Sequence, residues 1–469
     1  MNEHRATESC LARLRSALVA IERQRALNAF IEVFGKDAYA QAAAADTHPP
    51  AGTASPVSGM LLGIKDNISI QGKACTAASR ILQGYCAPFD ATVITRLREA
   101  GAVFVGRCNM DEFAMGSSGE TSAYGATRHP FLDTRVPGGS SSGSAAAVAA
   151  GLVDAALGSD TGGSIRQPAA FCGVVGMKPS WGRVSRYGLI SFAPSFEQIG
   201  PIARSVRDAA ALLLVMAGED ANDATTAART VPDYPAACDR GVAGLRFGIL
   251  DYGKNDSDDP FTGAALSRSA QALRQQGASL HPVHVHYLDA VLPVYYVIAN
   301  VEAAGNLARY DGMRFGARRA GAHFEEAIRN ARTEGFGAEV RRRLLQGAWI
   351  QGDGRQDEHY QRAQRVRTVL REEWERVFDV VDVVLTPVTK GPPFMTGERS
   401  SAMAMRASDE CTAVANVAGL PAMSLPLPPT PEGFPCAVQL LARPFGEEDL
   451  FAAAAAIERA CPAAEGWGA

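Results

Sequence analysis

From Met60 onward, short apolar runs alternate with helical patterns, and this interleaving favours an α/β layered fold around one large sheet. The runs at 60–64, 103–105, 245–250, 380–385 and 437–441 are short and continuously apolar, so they read as buried strands. Segments 92–99, 140–153, 206–217, 263–275 and 447–460 carry the spacing of helices. Between about 291 and 373 the strand signals vanish and long polar–apolar helical patterns take over, which predicts a helical insertion within one 1–469 domain. Ahead of the first core strand, Leu11, Leu14, Leu18 and Ile21 predict an amphipathic helix over 11–34. The Ala/Pro/Gly-rich stretch 41–58 predicts a surface loop.

Composition narrows the setting. A chain of 469 residues, 47% hydrophobic and 20% charged, is ordinary globular material. A net charge of −4 gives no general pull toward nucleic acid, so RNA contact requires a local patch or a partner. The nine cysteines are odd in number and form no C-x-x-C, the pattern of reduced thiols in the cytoplasm. No apolar run approaches the roughly 20 residues of a membrane span; the best candidate, 145–157, is interrupted by Asp154. Glu3, Glu8 and Glu22 argue against an organelle transit peptide despite Arg13 and Arg15. A cytoplasmic protein with no membrane contact is expected.

Chemistry concentrates between Gly63 and Pro179, in Gly63-Ile-Lys65-Asp-Asn67, Pro137-Gly-Gly-Ser140-Ser-Ser-Gly-Ser144 and Gly158-Ser-Asp-Thr161-Gly-Gly-Ser164-Ile-Arg166. A glycine-rich loop entering a helix suits phosphate, but a P-loop needs G-x-x-x-x-G-K-[ST] and no lysine follows either glycine-rich stretch. Nucleophilic catalysis fits better. Ser164 follows Thr161-Gly162-Gly163, where consecutive N–H groups can converge on an oxyanion without side chains in the way. A serine hydroxyl needs a base. No histidine lies in these motifs, which makes Lys65 the candidate, with a second serine as relay.

These motifs resemble those of the amidase signature family, whose triad is a lysine, a serine with a cis peptide bond and a nucleophilic serine. The resemblance places the triad on Lys65, Ser140 and Ser164, and the separations of 75 and 24 residues match the family's usual spacing. It implies an α/β/α layered fold around one large mixed sheet, with Thr161, Gly162 and Gly163 at the oxyanion hole. Ser142 departs from the glycine usual at that place. The chemistry makes one demand: a lysine pKa must fall from near 10.4 to about 7, roughly 4–5 kcal/mol, before it can act as base. Burial behind the apolar 60–64 strand is the available lever. Asp66 points to the opposite face of that strand and serves structure.

Beyond the signature, 177–190, 198–201, 295–312, 334–337 and 363–368 resemble the glutaminase (A) subunits of aminoacyl-tRNA amidotransferases. That resemblance implies release of ammonia from glutamine and its passage to a partner that amidates Glu-tRNA(Gln) or Asp-tRNA(Asn). It implies assembly with B and C subunits, tRNA contacted mainly through the partner, no cofactor in this chain, and ATP with Mg used by the partner. It puts glutamine binding on Arg343 and Asp409, with Arg341 and Arg342 as neighbours in register. An arginine suits a carboxylate and an aspartate an ammonium. Departures fall nearby: Thr412-Ala-Val-Ala-Asn416 in place of Thr-Ile-Pro-Val-Asn, Ser408 where asparagine is common, and 349–354 without the usual paired tyrosines. They leave open a stand-alone amidase acting on another small carboxamide. His281, His284 and His286 lack acidic or thiol partners at ligand spacing before Asp289, and read as a solvated strand edge with no metal.

Overall fold

In the computed structural model, which describes residues 8–47, 55–250, 260–352, 354 and 356–463, each of the five apolar runs becomes a strand, with ends shifted by up to three residues. Eleven strands form one mixed sheet: β1 Phe30–Val33, β2 Leu61–Lys65, β3 Val103–Cys108, β4 Ala155–Asp160, β5 Val175–Lys178, β6 Gln198–Ala203, β7 Arg246–Leu250, β8 Ser279–Val283, β9 Val383–Pro387, β10 Ala422–Leu427 and β11 Cys436–Ala442. Their order is β1-β3-β2-β4-β6-β5-β10-β11-β9-β7-β8. β2 runs parallel to β3 and β4, β7 runs parallel to β8 and β9, and the central pairs are antiparallel. Strands β2, β4, β6, β10 and β11 are buried at every residue, as a sheet covered on both faces requires.

Alternation along β2 sorts its side chains. Leu62 and Ile64 join the core beneath helices Thr92–Glu99, Val206–Met216 and Glu447–Ala460, whereas Leu61 joins the core beneath Cys10–Arg23 and Ser142–Ala149. Lys65, in phase with Leu61 and Gly63, therefore points to the second face, where the Ser140 turn lies.

Several expectations need correction. The 11–34 segment is α-helical only over Cys10–Arg23; after a 3-10 turn at Arg25–Leu27, Asn28 adopts a left-handed φ of 52° and the chain continues as β1, paired with β3. The 41–58 segment begins as helix: Gly35–Thr47 is Ala-rich, which favours helix, and buries Ala38 and Ala42; residues 48–54 lie outside the described residues. The 140–153 helix shrinks to Ser142–Ala149: ahead of it Ser140 O accepts the Asp111 N–H and the Ser141 N–H donates to Ser164 O, and after it Gly151 turns the chain at φ 68°. Strands β4, β5, β6 and β10 add to those read from sequence; their Ala, Gly, Ser and Pro content masks them.

In 291–373 the described residues contain no strand. Helices Val291–Asn306, Phe324–Gly335, Ala338–Gln351 and Arg362–Val380 share a core with Ala413–Ala418 and sheet residues Val384 and Leu441. They are thus packed onto the main body. The ladder of β8 ends at Val283; His284 and His286 continue past it, exposed on either side of buried Val285, and His286 Nδ1 lies 3.0 Å from Glu373. Among the described residues no three His, Cys, Asp or Glu side chains cluster as metal ligands, and no helix is long and apolar enough to cross a membrane.

Candidate active site

Lys65 ends β2 with no exposed surface. Its Nζ lies 2.7 Å from Ser140 Oγ, 2.8 Å from Ser141 Oγ and 3.1 Å from the Ser159 carbonyl. Burial pushes its pKa down to about 7, against the pull of Asp111, Asp160 and Glu197. A neutral amine has two N–H donors and one lone pair. Ser159 O can only accept, and Ser141 Oγ itself sits 3.3 Å from that carbonyl, so both N–H groups have acceptors and the lone pair is left for the Ser140 hydroxyl. Asp66 takes the other face: its carboxylate accepts from Arg107 Nη1 at 2.6 Å and from the Thr76 and Ala78 N–H groups. It does not compete for Lys65.

The Gly139–Ser140 peptide is cis. Ser164 lies between β4 and helix Arg166–Cys172, 7% exposed, and its carbonyl accepts the Ser141 N–H at 3.0 Å. Asp160 organises this turn by accepting from the N–H groups of Gly163 at 2.9 Å and Ile165 at 3.1 Å. Burial opposes its ionisation, but Arg166 beside it, with Lys178 and Asn416, holds it well below the usual carboxylate range. Arg166 engages all five donors, on both Asp160 oxygens, Thr412 O, Gln439 Oε1 and Asn416 Oδ1.

One of the three oxyanion-hole expectations needs correction. The Gly163 N–H is taken by Asp160 and is not free for an oxyanion. The N–H groups of Thr161 and Gly162 have no acceptor among the described residues. Both glycines are required by close approach: a Cβ on Gly162 would fall 2.6 Å from the Tyr295 hydroxyl, and one on Gly163, at φ 138°, 2.2 Å from Thr412 Oγ1.

Arg343 and Asp409 converge beside this loop. Among the neighbouring arginines, Arg341 is exposed and Arg342 half-buried, whereas Arg343 is buried. Its Nε donates to Glu339 Oε1 at 2.7 Å, leaving the two Nη groups, and its guanidinium lies over the Tyr296 ring at 5.2 Å. The Tyr296 hydroxyl donates to Asp409 Oδ2 at 2.6 Å, and Ser117 Oγ donates to Oδ1 at 2.7 Å. Tyr295 lies beside Gly162 and close enough to Arg343 to feel its charge. Burial raises the Asp409 pKa, while Tyr296, Ser117 and Arg343 favour its charged form.

Ser117, Ser141, Tyr295 and Tyr296 carry no local signal that singles them out from sequence. The resemblance calls for a tyrosine pair after the arginine; helix Val291–Asn306 supplies one from before it. The departures at 413–415 lie in a buried helix, while Thr412 and Asn416 hold the nucleophile loop, Thr412 Oγ1 donating to Gly162 O at 2.6 Å and Asn416 Nδ2 to Asp160 Oδ1 at 2.9 Å. Ser408 Oγ accepts from Arg399, and Trp349 is 56% exposed, stacked on His359.

The Amidase family pattern matches residues 12–451. The chain belongs to the amidase family. It is 47% identical over 447 residues to the glutamyl-tRNA(Gln) amidotransferase A-type subunit of Roseiflexus castenholzii, covering 95% of this chain and 91% of that protein. It is similar to the crystal structure of the glutamyl-tRNA(Gln) amidotransferase A-type subunit from Thermotoga maritima, with TM-score 0.78 and 38% identity over 97% of this chain and 92% of that one. Peptide amidase from Stenotrophomonas maltophilia superposes with TM-score 0.82 at 32% identity, over 98% and 95% of the two chains. Architecture alone does not separate these amidases; sequence identity favours the amidotransferase over a stand-alone enzyme.

Proposed function

We propose that this amidase is the glutaminase subunit of an aminoacyl-tRNA amidotransferase, and that Lys65, Ser140 and Ser164 are its catalytic residues. Neutral Lys65 takes the Ser140 proton, Ser140 takes that of Ser164, and Ser164 Oγ attacks the glutamine carboxamide carbon. The N–H groups of Thr161 and Gly162 receive the oxyanion. Collapse of the tetrahedral intermediate returns the proton through Ser140 to the leaving nitrogen and releases ammonia. Water then cleaves the Ser164 ester and frees glutamate. The B and C subunits complete the assembly; ammonia passes to the partner, which contacts tRNA and uses ATP and Mg to amidate Glu-tRNA(Gln) or Asp-tRNA(Asn). The chain itself takes no cofactor and works in the cytoplasm.

The observation that carries the choice of substrate is the buried Arg343–Tyr296–Asp409 arrangement beside the nucleophile loop. It offers a cation to an α-carboxylate and an anion to an α-ammonium beside the loop that carries the serine. Removing either charge, in Arg343→Ala or Asp409→Asn, lowers kcat/KM for glutamine by roughly 10- to 150-fold, from about 1.5–3 kcal/mol per charge-assisted contact. An uncharged primary amide loses little, because it never uses those groups. Equal losses on both substrates would make the two residues structural. The assembly is tested by measuring glutaminase turnover with and without co-expressed B and C subunits: preference for glutamine rises sharply with the partners and charged tRNA, and equal turnover of unrelated amides by the free chain would contradict the proposal.

A further inference from the structure

Two adjacent residues reach the two halves of the site. The Asp111 N–H donates to Ser140 O at 3.1 Å, and its carboxylate accepts from the N–H groups of Gly119 at 2.9 Å and Thr121 at 3.2 Å. A Cβ on Gly139 would lie 1.9 Å from Asp111 Oδ2, so the Ser140 turn is seated on this side chain. Glu112, also buried, engages the other half. Its Oε2 accepts the Gly337 N–H at 2.8 Å, and its Oε1 accepts from Ser79 Oγ.

Gly337 is the N-cap of Ala338–Gln351, the helix that carries Arg343. In a capping box, a Glu at the third helical position reaches back to the N-cap N–H. Here Val340 holds that position, and Glu339, one residue earlier, is engaged by Arg342 and Arg343. Glu112 supplies the missing carboxylate from 225 residues away in sequence. A Cβ on Gly337 would come 2.3 Å from Glu112 Oε2, so a side chain there displaces that carboxylate. Arg343 then projects about 9 Å further along the helix axis, at 1.5 Å per residue.

We infer that Glu112 is a positioning residue, tying the start of the Arg343 helix to the segment that seats the Ser140 turn and so setting the reach between the site's acyl and carboxylate ends. It touches neither substrate nor Arg343. The inference rests on the reading of Arg343 as receptor for the α-carboxylate. Moving Arg343 out of register with the α-carboxylate forfeits a charge-assisted contact worth roughly 10- to 150-fold in binding.

The test uses the full chain with its B and C subunits and compares Glu112→Ala, Glu112→Gln, Gly337→Ala and Arg343→Ala. Two quantities are measured: kcat and KM for glutamine, and the rate at which phenylmethanesulfonyl fluoride, an uncharged serine reagent, labels Ser164. Glu112→Ala and Gly337→Ala each raise KM about 10- to 100-fold, with kcat and labelling within about threefold of the parent. Glu112→Gln can still accept the Gly337 N–H and restores KM. The inference is overturned if Glu112→Ala leaves KM unchanged, or if labelling falls in step with glutamine turnover, the mark of general collapse. If Arg343→Ala itself leaves KM unchanged, the reading of Arg343 fails instead, whatever the Glu112 variants do.

Discussion

Replacing Ser164 by alanine lowers ammonia release from glutamine by on the order of 10⁴-fold or more, because the ester that divides the reaction into two steps can no longer form. What survives is the contribution of binding and of the oxyanion donors alone. The fold tolerates the change: Ser164 is held through its backbone, with its carbonyl bonded to the Ser141 N–H and its neighbours Gly163 and Ile165 to Asp160. A melting temperature within a few degrees of the parent is expected, since removing a hydroxyl away from a buried network costs little. A glutamine-like electrophile followed by peptide mapping places the adduct on Ser164. An adduct on Ser140 or on a cysteine contradicts the assignment.

Lys65→Ala costs about 10⁴-fold in kcat, as loss of a general base does. Ser140→Ala costs nearly as much, and the double variant is scarcely worse than either single one, because a relay fails as a unit. The pH dependence has a definite sign. Only neutral Lys65 can accept a proton, and burial places its pKa at about 7. Below that value the neutral fraction falls tenfold per pH unit, so kcat falls with it; above it the rate levels off. Holding the amine at about 7 instead of 10.5 stores ~5 kcal/mol of unfavourable burial, offset by the apolar packing around β2. A residual rate in Lys65→Ala that keeps the wild-type acidic limb would identify another base.

The catalytic candidates were legible because each stands in a short motif whose chemistry is local. An apolar strand ending in lysine, a serine turn opening a small-residue helix and a glycine turn ahead of a serine each announce themselves within about ten residues. Central strands rich in Ala, Gly and Ser did not, because their burial comes from neighbours on both sides rather than from their own pattern. The 11–34 and 41–58 segments depart from their sequence patterns at the joins, where Asn28 turns the chain and an Ala-rich stretch finds a helix to pack against.

The sequence thus pointed to the layered α/β class and to Lys65 and Ser164 as candidates, and its resemblance to known amidases added Ser140, Arg343 and Asp409. Tertiary structure decided how they are held. Contacts linking Gly162 to Thr412, Arg166 to Gln439 and Ser117 to Asp409 span 250, 273 and 292 residues, and no local pattern encodes them. They hold the nucleophile loop and the Asp409 carboxylate in place, and packing of the whole chain buries one of three successive arginines. The Lys65 pKa belongs to the same class. A motif names the amine, but only the fold removes the water that would keep it charged.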